Sequence, residues 1–441
     1  MKDDFADLNG LIDRRGFLGK GAGALGAAAM LGDGQPGDGR RRVRRRNAPG
    51  RVADGNPGQD QDAASGQAPG KNAANTTQAA ELPRRKLGGT GVDVTILNLG
   101  TWQSPGGDRL LRFAWANGVR TFDTAKTYGS EPMIGRWLKA MPEARKDLFL
   151  VTKDQPDTPQ QLIRQLDQRL QALQTDYVDL IFLHALGDRN FDLEIQWPKS
   201  QEFKQVAEAI RKSGKAKFVG FSTHHPARHL LLEAAAEGGF VDVIMLQNNP
   251  WIAQDDNMNR ALDVCYKRGI GLISMKQVAG NMNLDEIGMQ LPELAATGLT
   301  PYQALLHAIW SDERFSSVCV SMRNTDQIRE NAAAARAFKP MTRAEISRLH
   351  KACIVAGPTF CAGCDGRCSR AAGTMAELGN LTRFLTYHDH HGYRAQARRL
   401  YSELRGTARD WHGADLEAAR QACPNQLNFA KLLPRAEEIL G

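Results

Sequence analysis

Residues 121–135 read TFDTAKTYGSEPMIG. A short apolar run ends there on a carboxylate, Asp123, and a phenol, Tyr128, follows five residues later. Two further runs end the same way: LFLVTK (148–153) closes on Lys153, and DLIFLHA (179–185) carries His184 near its end. Working outward, strand-like runs recur at TILNLG (95–100), AKFVGFS (216–222), VDVIMLQ (241–247), GLISMKQV (271–278) and SSVCVSM (316–322). Helical patterns alternate with them. In TPQQLIRQLDQRLQALQ (158–174), Leu162, Leu166, Leu170 and Leu173 fall on one face. Eight strand–helix repeats over roughly 250 residues predict an α/β fold, a (β/α)8 TIM barrel spanning 84–340. In that fold functional residues sit at the C-terminal ends of strands. Asp123, Lys153 and His184 close strands two, three and four, with Tyr128 in the loop after strand two.

The rest of the chain is read against that block. Residues 1–32 form a targeting segment: Arg14 and Arg15 precede Phe17 and Leu18, and GAGALGAAAMLG follows. This resembles a twin-arginine export signal and implies a periplasmic or exported protein. The apolar run is too short to span a bilayer. Residues 33–80 are a linker in which six arginines, Arg40–Arg42 and Arg44–Arg46, precede Gly, Pro, Asn, Gln and Ala with almost nothing to form a core. The net charge is +8, of which residues 1–80 carry +3. The remainder forms no basic stripe interleaved with aromatics, which argues against nucleic-acid binding.

The four strand-end residues make a coherent proton-donating set. A free tyrosine, with a pKa of about 10, is a poor acid at neutral pH. A lysine ammonium beside it stabilises the phenolate and depresses that value, and a carboxylate keeps the lysine charged and in place. A histidine next to the phenol orients a substrate oxygen or relays the proton.

In order, RKLGGTGVDVTILNLGTWQ, FDTAKTYGSEPMIG, VTK, FLHA, VGFSTHHP and SMRNTDQIRENAAAA resemble the landmarks of the aldo-keto reductases over about residues 84–340. The resemblance implies Tyr128 as acid/base, tuned by Lys153 and Asp123, with His184 placing the carbonyl of an aldehyde or ketone substrate, or the alcohol in reverse. It also implies NADP(H) bound without a Rossmann fold, by Gly100, Thr101 and Trp102 after the first strand, Ser222 at the nicotinamide, and Arg323, Gln327 and Asn331 at the adenosine end. A helix N-terminus with a nearby arginine suits a phosphate on physical grounds too. Two positions depart from the family: Thr223 stands where Asn is usual, and Asn248 where an aromatic stacks on the nicotinamide, with Trp251 three residues on.

Seven cysteines are present. Cys265 and Cys319 lie in apolar runs; Cys353, Cys361, Cys364, Cys368 and Cys423 fall in the last hundred residues. Residues 341–441 therefore read as a helical extension with a ligand set. Cys361, Cys364, Cys368 and Cys423 give four thiolates, enough for one iron–sulfur cluster. The tail resembles the ferredoxin-like extension of one aldo-keto reductase subgroup, which implies a 4Fe-4S cluster and an electron-transfer partner. Its first spacing is C-x2-C-x3-C, not C-x2-C-x2-C. Four thiolates suit zinc equally well, and export would allow disulfides.

Overall fold

The structure, a computed structural model, describes residues 81–102, 107–187, 189–225, 227–248, 256–277, 284–356, 361, 366–389, 394–404 and 406–441. The targeting segment and linker expected over 1–80 lie outside them. So do Cys364 and Trp251.

All eight expected barrel strands form: β3 (Leu97–Gly100), β4 (Thr121–Asp123), β5 (Phe149–Asp154), β6 (Val178–Leu183), β7 (Ala216–Thr223), β8 (Val243–Gln247), β9 (Gly271–Met275) and β10 (Phe315–Ser321). Each pairs in parallel with the next, and β10 returns to β3, with Ser321 opposite Gly100, to close the barrel. Eight helices follow the strands: α1 (Gly107–Ala116), α2 (Glu131–Ala140), α3 (Gln161–Leu173), α4 (Gln201–Ser213), α5 (Arg228–Gly238), α6 (Asp256–Lys267), α7 (Pro301–Trp310) and α8 (Thr325–Arg336). Two short helices, Leu284–Gln290 and Glu293–Thr297, fill the connection after β9.

Successive side chains on each strand alternate between two apolar layers. Leu97, Leu99, Phe122, Leu150, Ile181, Leu183, Ile244 and Leu246 point outward and pack with the helices. Phe149, Val151, Leu180, Phe182, Val243, Met245, Ile273 and Cys319 point inward. Each large apolar side chain buried in this way contributes about 1.5–3 kcal/mol.

An N-terminal hairpin, β1 (Arg84–Lys86) with β2 (Asp93–Thr95), lies ahead of the barrel. Its Leu87, Val92 and Val94 join the inward-facing cluster and so plug the end opposite the strand C-termini. The plug is seated tightly: a Cβ at Gly88 would lie 2.3 Å from the Gly269 carbonyl oxygen, and its φ of +53° is left-handed. Only glycine fits there.

Beyond the barrel come α9 (Arg343–Ala356), α10 (Arg367–Ala371), α11 (Leu378–Asp389), α12 (Arg394–Glu403), α13 (Leu416–Ala422) and α14 (Phe429–Leu440). The extension is helical, as expected, around buried Leu378, Leu381, Phe384, Leu385, Ala419, Leu432 and Leu433. Among the described residues no helix is long and apolar enough to cross a membrane.

Candidate active site

The four expected residues meet at the C-terminal mouth of the barrel. Lys153, 1% exposed, donates to Asp123 Oδ2 at 2.5 Å and to the Thr124 carbonyl at 3.0 Å. Its Nζ stands 4.9 Å from the centre of the Tyr128 ring. The His184 ring meets Tyr128 edge-on, centroids 5.6 Å apart. Register explains the convergence: Asp123 and Lys153 are inward positions on adjacent strands, and the His184 backbone N–H is tied to the Asp154 carbonyl at 2.8 Å.

The electrostatics correct one expectation. Lys153 pulls the Tyr128 phenol down, as anticipated, but burial outweighs it and the Asp123 charge opposes it, so the phenol is pushed up to about 12. Tyr128 is therefore a fully protonated donor at neutral pH. Burial is the largest single influence on Lys153 and lowers it, but the Asp123 charge and hydrogen bond, with smaller effects from Tyr128 and Cys319, together more than offset it, so the lysine keeps its proton. His184 moves the other way, down to about 3, because burial and then the Lys153 and Lys276 charges disfavour the imidazolium. It is neutral here, with one N–H to donate.

That depression has a stability consequence. A histidine kept neutral in the fold gives its full contribution above the unfolded value of 6.5, and the contribution is lost as pH falls toward 3. We expect the slope of unfolding free energy against pH between 6 and 4 to be shallower in His184→Gln than in the parent by up to about 1.4 kcal/mol per unit. Chemical denaturation at several pH values measures it, and identical slopes would mean that His184 titrates normally.

Thr101, joined by Ser130, Thr124, Glu131, Thr152, Arg169 and Asp154, which were not singled out from the sequence, holds the Tyr128 turn (Lys126–Tyr128) in place. Thr101 Oγ1 donates to the Asp123 carbonyl at 2.9 Å and shares a 2.7 Å hydrogen bond with Ser130 Oγ, which also meets Thr124 Oγ1 at 2.7 Å. Glu131 takes Thr152 Oγ1 at 2.6 Å and Arg169 Nη1 at 3.1 Å. Arg169 also pairs with Asp154, 3.4 Å away, and Asp154 pairs with Lys126 at 3.6 Å. A phenol on a three-residue turn is thus braced by buried hydrogen bonds and ion pairs from the ends of three strands and from two helices.

The residues expected at a dinucleotide are distributed as follows. Gly100 ends β3 beside Ser321 and Asp123. The Thr101 hydroxyl is committed to the bonds just given, and Trp102 stands half-exposed on the rim. Ser222 is buried, its Oγ accepting from the Ala185 N–H at 3.1 Å. Thr223 turns its hydroxyl away to the Leu186 carbonyl. Asn248 is buried at the end of β8 and offers no stacking ring. Arg323 and Gln327 lie exposed at the start of α8, joined by a 2.7 Å bond from the Arg323 N–H to the Gln327 side chain, and Asn324 caps the helix. Asn331, one turn further on, is buried with its Oδ1 lacking a partner. An N-terminus with an arginine and an orphaned buried acceptor fits the phosphate-bearing, hydrogen-bonding end of a dinucleotide. Lys276, not singled out from the sequence, follows β9 in a left-handed conformation (φ 55°) close enough for its charge to act on His184. His225, just after β7, stacks on Phe191 with ring centroids 4.1 Å apart.

In the tail, Cys361, Cys368 and Cys423 are all buried and free of disulfides. Burial pushes the Cys423 thiol up, and the backbone N–H groups of Leu427 and Asn425 beside its sulfur oppose that, while the Gln426 N–H donates to the Cys423 carbonyl at 2.9 Å. Such N–H donors are what a metal-bound thiolate needs. Among the described residues, however, no three His, Cys, Asp or Glu side chains converge on one point.

The model of the aldo/keto reductase family matches residues 97–354. D-galacturonate reductase of Hypocrea jecorina is 27% identical over 205 residues, which is 42% of this chain and 64%, less than two thirds, of that enzyme. L-galactose dehydrogenase of Arabidopsis thaliana is 27% identical over 290 residues, 58% of this chain and 88% of that one. A thermostable aldo-keto reductase solved with the inhibitor epalrestat superposes with a TM-score of 0.51 at 25% identity, covering 62% of this chain and all of that one. An aldo-keto reductase from Klebsiella pneumoniae solved with NADP and acetate shares the fold, with a TM-score of 0.50 at 21% identity over 60% of this chain and 94% of that one. The chain belongs to the aldo/keto reductase family and is an NAD(P)-dependent oxidoreductase.

Proposed function

We propose that this protein reduces the carbonyl group of a small aldehyde or ketone with NADPH, or oxidises the alcohol in reverse, with Tyr128 as the proton donor. One observation carries the reading: Lys153, fully buried, bonds Asp123 at 2.5 Å and reaches the Tyr128 ring at the same mouth. The dinucleotide, when bound, supplies hydride to the carbonyl carbon. The protein's own part is the proton. As negative charge grows on the substrate oxygen, the Tyr128 phenol, protonated at rest, gives up its proton, and Lys153 stabilises the phenolate left behind. Neutral His184 donates an N–H toward the same oxygen without competing as an acid. Asp123 keeps Lys153 charged. Ser222, Arg323, Gln327 and Asn331, with Gly100, Thr101 and Trp102 at the rim, are the residues we assign to holding the cofactor.

Titrating the purified protein with NADPH and following quenching of tryptophan fluorescence tests the cofactor assignment. Saturable binding is expected, and no binding at millimolar NADPH would overturn it. The named relatives act on sugars and a sugar acid, so galacturonate and galactose are sensible first substrates for an activity screen.

A second element of the reading concerns the tail. We propose that Cys361, Cys364, Cys368 and Cys423 hold a metal centre, an iron–sulfur cluster in preference to zinc; the Leu427 and Asn425 N–H groups beside the Cys423 sulfur favour it. A cluster would pass single electrons to a redox partner. Anaerobic purification followed by iron, sulfide and zinc analysis is expected to give iron with sulfide, lost in Cys423→Ala. Protein with neither metal would end the proposal, and zinc alone would make the site structural. The twin-arginine pair supports export, and cell fractionation of the parent against Arg14→Lys/Arg15→Lys tests it.

A further inference from the structure

The barrel interior is not evenly apolar. Its inward side chains on β6, β8 and β9 are Leu180, Phe182, Val243, Met245 and Ile273. On β10, β3 and β4 they are Ser317, Cys319, Ser321, Asn98, Thr121 and Asp123, and β5 adds Lys153 above its apolar Phe149 and Val151, so that a polar wall leads up to the catalytic mouth. Cys319 sits in the middle of it. Its strand neighbour on β3 is Asn98, and one inward step above, Ser321 faces Gly100, which in turn faces Asp123 on β4. β3 therefore separates Cys319 from Asp123, and a side chain at position 100 would stand between them. A Cβ there would come within 3.0 Å of the Cys319 sulfur and 3.2 Å of the Ser321 hydroxyl. Glycine leaves the gap open, and across it the thiol and the carboxylate act on one another.

The carboxylate has use for such a donor. Lys153 takes Oδ2, while Asp123 Oδ1, buried, has no hydrogen-bond partner. An unpaired buried carboxylate oxygen is costly, and a thiol is a weak donor that adds no charge to an already neutralised pair. The next polar group down the wall, Asn98, is fully buried with both amide atoms unpartnered, so the column below Cys319 is polar without supplying Asp123 from another direction. We propose that Cys319 is a positioning residue of this active site: its S–H, admitted by Gly100, holds the Asp123 carboxylate so that Oδ2 faces Lys153. It touches neither substrate nor cofactor and acts through Asp123 on Lys153 and Tyr128.

Two measurements test this, and only the second rests on the proposed reductase activity. The S–H stretch lies apart from other protein infrared bands, so the parent-minus-Cys319→Ser difference spectrum isolates the Cys319 thiol among the seven. Its band is expected at the low frequency of a hydrogen-bonded thiol and is expected to move up in Asp123→Asn, where the acceptor is uncharged. A band at the free-thiol frequency, unmoved by Asp123→Asn, would overturn the proposal whether or not the protein reduces any carbonyl. In the pH profile of kcat/KM, Cys319→Val removes the donor at similar size and is expected to move the acid limb, where Asp123 takes up a proton, to higher pH by about half a unit. Cys319→Ser keeps a donor and should restore the parent limb. Superimposable limbs for all three proteins would assign Cys319 to packing alone, and the infrared comparison stands if the valine variant does not fold.

Discussion

Tyr128→Phe is expected to lower carbonyl reduction by about a thousandfold while leaving dinucleotide affinity within about twofold. The phenyl ring keeps the edge contact with His184 and the cation–ring contact with Lys153, so the mouth stays packed and only the proton is lost. With the phenol pushed up to about 12, the parent delivers that proton over the whole neutral range, and the deficit of the variant should be nearly constant from pH 6 to 8. The loss should also appear in kcat, with KM little changed, because the interaction removed is made in the transition state. Steady-state kinetics beside a fluorescence titration of NADPH measures both halves. Retained turnover would move the proton donor elsewhere, with His184 the next group to test.

How much of this was legible before the fold was known depends on distance along the chain. Asp123, Lys153 and His184 could be read because each lies within one residue of the end of its own strand, and a strand-end position is a local property of an apolar run. The barrel was legible for the same reason: its alternation of runs repeats every few tens of residues. The hairpin Arg84–Thr95 was missed because three-residue strands around LGGTGV are too short to show a period of two. The brace of Glu131, Arg169 and Asp154 was missed because those residues meet only after α3 has folded back beside β5. Cys319 was read as one more apolar strand residue. Its nearness to Asp123 exists only once β10 closes against β3, more than two hundred residues earlier in the chain. The sign of the Tyr128 shift was misjudged for a related reason: the lysine's pull could be read from its presence, but the burial that exceeds it comes from the assembled mouth. Short-range chemistry is written in order; desolvation is a property of the whole fold.

The buried pair beneath that phenol gives the largest stability effect. Lys153→Met is expected to cost about 3–5 kcal/mol of unfolding free energy, because it leaves the Asp123 carboxylate, 2% exposed, without its cation. Replacing both members, Asp123→Leu with Lys153→Met, should recover most of that loss, since two apolar side chains of similar volume carry no stranded charge. Activity should stay lost in both. The pH dependence separates charge from packing. Lys153 is raised above its ordinary 10.5 by Asp123, so its stabilising contribution is complete below pH 10.5 and is lost as pH rises through its folded value. The difference between parent and Lys153→Met should therefore be flat from pH 7 to 9 and begin to shrink only above about 10.5. Urea unfolding of the parent, the single variant and the double variant at pH 7, 9 and 11 gives these quantities. A single variant as stable as the parent would mean that Asp123 takes up a proton at no cost when its partner is removed, and that the pair is then a neutral hydrogen bond, not the ion pair on which the tuning of Tyr128 depends.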